Sequence, residues 1–381
     1  MNKNNLNFFN LLKIISACMI SFFLHLNQQF FEKLEVGTRP LILSTRIFRF
    51  LLDGPPRMLV ELFFIMSGFL FAYVYIPRIR KKEYTFDKFI FKRFTRIMPI
   101  VILTSSICYI LIFIMETNNI NCWTSFCGNK RDIVSLLFDF LFSGIMVIDN
   151  KMSLNGPIWY TNVLLVCYAL AYVLTRIYIR FSNKSIFLFP IMLGIIIFVK
   201  GWDWQKPLLT FGTARGYIAF FEGIILHFFI NKIDMLEKRT KKILIFISLF
   251  IFVISFRFLF LHFEDYSVYV SNVFIFFDFI VYLPLIYILY NFKLLNNFCS
   301  TKFIKNLGKI SYGIYLWNYP ILGGVYLLIK FLKVSNETII KYYFLIWMII
   351  VILHFILSIL SYNFVEKNFI IKKINIKCKF Q

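Results

Sequence analysis

The sequence predicts an all-α fold: a polytopic integral membrane protein of about ten transmembrane helices with both termini cytoplasmic. Three observations lead there. Hydrophobic residues fill 60% of the chain and the mean hydropathy is +0.74, against an apolar share of roughly 45–50% in a soluble domain. The apolar residues gather into runs of about twenty, the length a helix needs to cross a hydrocarbon core about 30 Å thick. Lys and Arg concentrate on alternate loops, as in chains whose cytoplasmic loops are basic. The longest stretch without a span, Glu116 to Asn155, is too short for a second folded domain, so residues 1–381 form a single transmembrane domain.

Taken in order, the expected spans lie near 8–27, 57–76, 97–115, 156–179, 186–201, 214–231, 243–263, 269–290, 310–331 and 342–364. Met1 to Asn7 lead into the first without a small-residue cleavage site, so this helix is expected to be retained and not removed as a signal peptide. Pro77 closes the second span, and the basic run from Arg78 to Arg96 lies at the inner surface. After the third, Asp132 to Met146 places Ile133, Leu136, Leu137, Phe140 and Leu141 on one side, the pattern of a helix lying in the outer interface. The segments Asp53-Gly54-Pro55-Pro56 and Lys200 to Pro207 read as outer turns, the second with Trp202 and Trp204 at the water boundary. The remaining basic clusters, Arg176 to Lys184, Lys232 to Lys242, Lys293 to Lys309 and the tail after Glu366, fall on the inner side of the later spans. No internal repeat of the inverted-repeat transporter kind is visible.

The net charge of +23 would suggest nucleic acid in a soluble chain. Here the cations sit between spans and set topology, so no nucleic-acid partner is expected. The seven Cys are scattered and follow no metal-ligand spacing. Cys122 and Cys127 share a loop, where a disulfide is compatible with an oxidising face.

Few residues inside this apolar background can carry chemistry. Glu61 heads the second span, and an acid at membrane depth is costly unless it faces the bundle interior and finds a partner. Ser67-Gly68, in the same span, reads either as a close helix contact or as part of a site. His25 lies near the outer end of the first span, where a neutral imidazole suits proton abstraction from a hydroxyl; Glu61 is at a depth that allows it to orient the ring. Near the inner end of the same helix is Lys13. Arg93 and Arg96 are three apart, hence neighbours on one helical face, and guanidinium groups match phosphate oxygens. With Lys13 they suit a phosphorylated ligand arriving from the cytoplasm. Arg215, Glu222, Arg257, Asp278 and His354 are further polar residues within or at the ends of spans, where they pair with one another or line a pathway.

These residues together resemble the acyltransferase 3 family of integral membrane acyltransferases. The likeness runs nearly end to end: Lys13 followed by His25; Glu61-Leu-Phe-Phe-Ile-Met-Ser67-Gly68-Phe69; Arg93 and Arg96 before Ile97-Met98-Pro99; Asn155-Gly-Pro157-Ile-Trp159-Tyr160; Leu307 to Trp317; and Ser361 to Lys367. The resemblance implies transfer of an acyl group, usually acetyl from acetyl-CoA, to a hydroxyl of a cell-surface or secreted glycan at the plasma (inner) membrane. By that likeness His25 is the base, partnered by Glu61. Lys13, Arg93 and Arg96 bind the acyl-CoA, and Ser67, Trp159 and Arg215 border the acceptor. The expected partners are membrane lipid, glycan and acyl-CoA, with no metal. A glycan transporter or flippase, or a catalytically degenerate relative, is the alternative.

Three departures stand out. The step from Lys13 to His25 is one residue longer than the family's usual spacing, which on an ideal helix turns His25 about 120° from Lys13; a one-residue π-bulge would restore the face. Asn318 follows Leu316-Trp317 where a His is common in the family, and Asn368 stands where a Pro usually follows Glu366-Lys367.

Overall fold

Residues 3–31, 34, 50, 58–121, 133–140, 154–200, 206–262 and 277–367 are described in the structure, a computed structural model. They contain helices and no β-strand, apart from an isolated bridge between Lys206 and Leu209. The expected turn at Asp53–Pro56, the Cys122–Cys127 pair and residues 201–205 of the Trp-rich turn lie outside the described residues.

In chain order, α1 (Phe8–Cys18) continues directly into a π-helix over Met19–Phe30. There follow α2 (Leu59–Arg80), α3 (Phe86–Thr117), the short α4 (Ile133–Phe140), α5 (Ile158–Phe181), α6 (Leu188–Lys200), α7 (Phe211–Ile233) and α8 (Lys238–His262). A π-helical turn over Phe277–Tyr282 leads into α9 (Leu283–Asn291) and α10 (Lys293–Cys299). The chain then forms α11 (Lys302–Leu316), α12 (Asn318–Phe331), α13 (Asn336–Lys341) and α14 (Tyr343–Ser361), closed by a π-helical turn over Tyr362–Glu366.

Among the described residues, six helical stretches are long and apolar enough to cross a membrane: Asn4–Leu26, Leu59–Arg80, Phe86–Thr117, Ile158–Phe181, Phe211–Ile233 and Tyr343–Glu366. A seventh candidate is bent by 83° between Asn291 and Lys293. Of the other expected spans, 186–201 contains α6, whose 13 residues reach about 20 Å at 1.5 Å each, short of a full crossing. The expected 243–263 lies in the 25 residues of α8 as far as His262, and residue 263 is outside the described residues.

The span expected at 310–331 is divided at Trp317, for a covalent reason. Pro320 has no N–H for the carbonyl of Leu316, four residues back, and the Asn155 side-chain amide donates to that carbonyl instead, at 3.1 Å. The bend between α9 and α10 has a similar anatomy. Phe292 leaves helical geometry at ψ 87°, and the side-chain amide of Asn296 donates to the exposed carbonyls of Leu289 (2.8 Å) and Phe292 (3.1 Å).

Apolar residues point outward on the long helices, the reverse of a soluble protein. On α14, Leu345, Ile349, Ile352, Ile356 and Leu360 are exposed, while His354, Ser358 and Ser361 are buried. A helix with its hydrocarbon outside and its polar groups inside suits lipid as solvent, where polar groups must be satisfied within the protein.

The chain divides into two compact units. The first comprises Met1–Ser16, Met58–Lys88 and Val166–Gly308. Its centre is the crossing of α2 with α7, with α6 against the other side of α7. The crossing is close because both helices present glycine: a Cβ on Gly68 would land on the carbonyl oxygen of Phe220, and one on Gly223 on that of Ile65. Small residues let helix backbones approach where no hydrophobic effect drives them together. Gly68 is thus a close helix contact, one of the two roles the sequence allows the Ser67-Gly68 pair. The backbone amide of Phe8 donates to Asn296 Oδ1 at 3.2 Å, tying α1 to α10.

The second unit comprises Ala17–Arg57, Phe89–Leu165 and Lys309–Gln381. In it α12 packs against α14 and against the Met19–Phe30 π-helix. Trp317 Nε1 donates to Ser361 Oγ at 3.1 Å, and Ser21 Oγ donates to the carbonyl of Ile314 at 3.3 Å. These bonds fix α11 and α12 between the first and last helices of the unit.

Candidate functional site

The first unit buries an ionisable cluster. Glu61, on the first turn of α2, is 0% exposed and forms an ion pair with the guanidinium of Arg215 on α7. Its Oε2 has no hydrogen-bond partner. Glu222 is seven residues after Arg215, so the two project on one face of α7. It is 2% exposed, and both its carboxyl oxygens lack hydrogen-bond partners. Asp278, 1% exposed, and Tyr282 join from the π-helical turn and feel the charges of Glu61 and Arg215. Among the described residues, three buried carboxyls therefore gather near the Arg215 guanidinium, which pairs with Glu61 and acts on Asp278, a costly arrangement seldom kept without use. Sequence alone leaves the pairing of Asp278 open among Arg257, His354 and others; its neighbours in this unit are Glu61, Glu222 and Arg215.

The second unit holds His25. The ring sits in the π-helix that begins at Met19, after Lys13, so the local geometry contains the widened turn that the longer spacing calls for. His25 is buried and meets the ring of Tyr319 edge-on, centroids 5.6 Å apart. Asn318, fully buried at the start of α12, faces the imidazole. His354 of α14 is the third member, close enough to act on His25 electrostatically. Its Nδ1 donates to the carbonyl of Ile350 at 2.8 Å, and its ring stands edge-on to Phe22 at 5.2 Å.

The polar atoms here are poorly satisfied. His25 Nδ1, His354 Nε2, both amide atoms of Asn318 and Asn155 Oδ1 have no hydrogen-bond partner of ordinary geometry. Buried polar groups are nearly always paired, so such a set marks where a polar ligand or ordered water belongs. Asn155 and Gly156 stand against this corner: the Asn155 amide holds the Leu316 carbonyl, and a Cβ on Gly156 would strike the Tyr319 ring.

The remaining candidates are placed as follows. Arg93 is buried in α3 with its guanidinium over the ring of Phe89, 5.7 Å from the centroid. Arg96, exposed one turn further on, acts on the carboxylate of Glu366. Lys13 is half-buried on α1 in the first unit, Ser67 is half-buried on α2, and Trp159 is half-buried on the first turn of α5. The structure thus groups Glu61 with Arg215, and His25 with Asn318 and His354. Sequence reasoning singled out His25, but took His354 only as a polar residue that pairs or lines a pathway and Asn318 only as a departure from the family pattern. A histidine among aliphatics near mid-membrane and an amide directly after Leu316-Trp317 were the available signals.

A family profile described as an acyltransferase domain matches residues 6–363. No curated protein and no solved structure matches with significance. The matched span takes in the π-helix with His25, the Glu61–Arg215 pair, the basic turn of α3 and the Asn318–His354 corner, nearly the whole chain. A multi-helical, lipid-suited chain matched from its first helix to its last belongs to the acyltransferase 3 family.

Proposed function

We propose that this protein moves an acetyl group from acetyl-CoA to a hydroxyl of a cell-surface or secreted glycan at the plasma membrane. The observation that carries the reading is the His25 corner: an imidazole held by neutral polar groups, with unpaired buried donors and acceptors around it. A base of this kind takes the proton of a sugar hydroxyl as the oxygen attacks the thioester carbonyl. The C–O bond forms, the C–S bond breaks, and the proton passes from the imidazolium to the departing CoA thiolate. No group is oxidised or reduced.

Arg93 and Arg96 suit the phosphates of the donor, since a guanidinium offers paired N–H groups to phosphate oxygens. Arg93 is also held over the ring of Phe89. Lys13 is a further cation for the same ligand, and Ser67, Trp159 and Arg215 are candidates for the acceptor side. The Glu61–Arg215 pair gives Arg215 a second duty, since it already neutralises a buried acid.

The test compares His25→Ala with the unaltered protein, expressed at matched levels, by the acetyl ester content of the cell-surface glycan. Loss of ester with unchanged glycan export supports the proposal. Equal ester content removes His25 from the chemistry, and glycan export that fails on deletion of the protein, with no acetyl transfer at all, favours a transporter.

A further inference from the structure

We infer that the cavity where α2 and α5 end binds an anionic phospholipid by its phosphate, a role beyond acyl transfer. The inference does not depend on the reading of His25.

The cavity lies within the first unit and has a volume of about 460 Å³, in the range of small-ligand sites. Four cations line it: Arg80 and Lys82 from the end of α2, and Arg176 and Arg180 from the last turns of α5. Among the described residues that line it there is no Asp or Glu. The acid next in the chain, Glu83, is paired with Arg78 at 3.9 Å. Topology asks only that basic residues lie on one side of the membrane. It does not require four of them round one hollow, where like charges repel until an anion joins them.

Two helix ends build the cavity. Arg176 and Arg180 are four apart, neighbours on one face of α5. Arg80 reaches across to that helix: its Nη2 donates to the Tyr178 hydroxyl at 3.2 Å, and its guanidinium lies over the same ring, 5.6 Å from the centroid. The bond uses one of the five N–H groups of a guanidinium and anchors Arg80 at the cavity wall.

Lys82 is held there at a conformational cost. At the end of α2, the N–H of Glu83 donates to the carbonyl of Arg78 and that of Lys82 to the carbonyl of Ile79, both at 3.0 Å, the paired bonds of a Schellman cap. Such a cap puts the residue after its C-cap in the left-handed region, and Lys82 has φ 57°. Glycine is the usual occupant because it has no Cβ. A lysine there gives up stability for a cation, and residues kept in such conformations concentrate at ligand sites.

The rest of the wall chooses among the sources of a phosphate. Ile79, Ile177 and Phe181 line the cavity beside the cations, and Phe181 is 65% exposed at the end of α5. Both α2 and α5 are long and apolar enough to cross a membrane, so their ends lie at the level where headgroups meet acyl chains. A soluble phosphate has no use for the apolar part of this wall. A phospholipid sets its phosphate among the cations and its first methylenes against Phe181 and the isoleucines, and basic pockets between spans are a recurrent seat for anionic headgroups.

In the experiment, full-length protein is purified in detergent, stripped of bound lipid and titrated with dioleoyl phosphatidylglycerol or with dioleoyl phosphatidylcholine, which has the same tails and no net charge. Native mass spectrometry gives the Kd of the first bound lipid, and phosphatidylglycerol should bind more tightly. Arg176→Gln with Arg180→Gln should weaken it about 30-fold, at about fivefold per cation removed from an anionic headgroup. Lys238→Gln with Arg239→Gln removes the same charge from the exposed start of α8 and should leave the affinity as it was. Lys82→Gly separates ligand from fold: the lipid-free protein should melt higher, because glycine suits the positive φ, while lipid affinity falls about fivefold. If the double arginine variant does not fold, Lys82→Gly decides.

Equal affinity for the two lipids overturns the inference. So does an equal loss in the two double variants, which makes net charge the cause, and so does unchanged affinity in folded variants of the cavity cations. Displacement of phosphatidylglycerol by millimolar CoA or inorganic phosphate also overturns it and gives the cavity to a soluble phosphate compound. The proposed function is judged separately, by the ester content of His25→Ala.

Discussion

Replacing Arg215 by methionine removes the guanidinium that pairs with Glu61 and acts on Asp278. Glu61 is 0% exposed and the Arg215 side chain 13%, so water cannot take over for the lost partner. Breaking a buried pair by deleting one member costs about 3–5 kcal/mol, because the other charge stays buried and uncompensated. Replacing both members, Glu61→Leu with Arg215→Met, removes the stranded charge with the pair, and buried pairs exchanged for apolar side chains of similar volume are often neutral or better. The double variant should therefore be more stable than Arg215→Met alone. The assay is thermal unfolding of the detergent-solubilised protein, read by tryptophan fluorescence, with monodisperse yield on size exclusion as a second measure. An Arg215→Met protein that melts with the wild type would refute the reasoning, as would a double variant that loses the sum of the two single losses.

Two further substitutions test the packing. Gly68→Ala adds a single methyl that meets the Phe220 carbonyl; a backbone oxygen cannot turn aside, so α2 and α7 must part and stability should fall by at least the ~1–3 kcal/mol of ordinary overpacking. Gly324→Ala is the matched control, because nothing lies within 4 Å of its new Cβ and alanine favours the helix by about 1 kcal/mol; the two variants should differ in the sign of their melting shift. Asn155→Ala leaves the Leu316 carbonyl without its donor, at a cost of about 1–3 kcal/mol. That cost should shrink in a Pro320→Ala background, where the restored N–H reaches the same carbonyl, and additive losses in this double-mutant cycle would contradict the account of the break at Trp317.

Much of the molecule is legible in the chain. Apolar runs near membrane thickness, basic loops between them and a few acids and histidines at depth identify a polytopic protein and point to Glu61, Arg215 and His25 as residues with something to do. The extra residue between Lys13 and His25 also carries information, since a helix with one residue too many must widen, and a π-helix begins at Met19. Less legible are the breaks. Residues 310–331 are apolar enough to read as one span, and Pro320 alone does not say whether the chain kinks or ends there, because the outcome depends on whether another group accepts the freed carbonyl.

The sequence by itself determined the solvent this protein is built for and the family it belongs to, because hydropathy and bilayer thickness act through local stretches of chain. Partnership was decided by the tertiary structure. Depth along the spans suggests His25 for Glu61, and the ion pair Glu61 makes is with Arg215, 154 residues away; Asn155 caps a carbonyl 161 residues on; His354 stands by His25 from the last helix. Which faces meet is settled where helices are allowed to touch, as at Gly68 and Gly223. Two glycines more than 150 positions apart carry no sign, in their own neighbourhoods, of the contact they make.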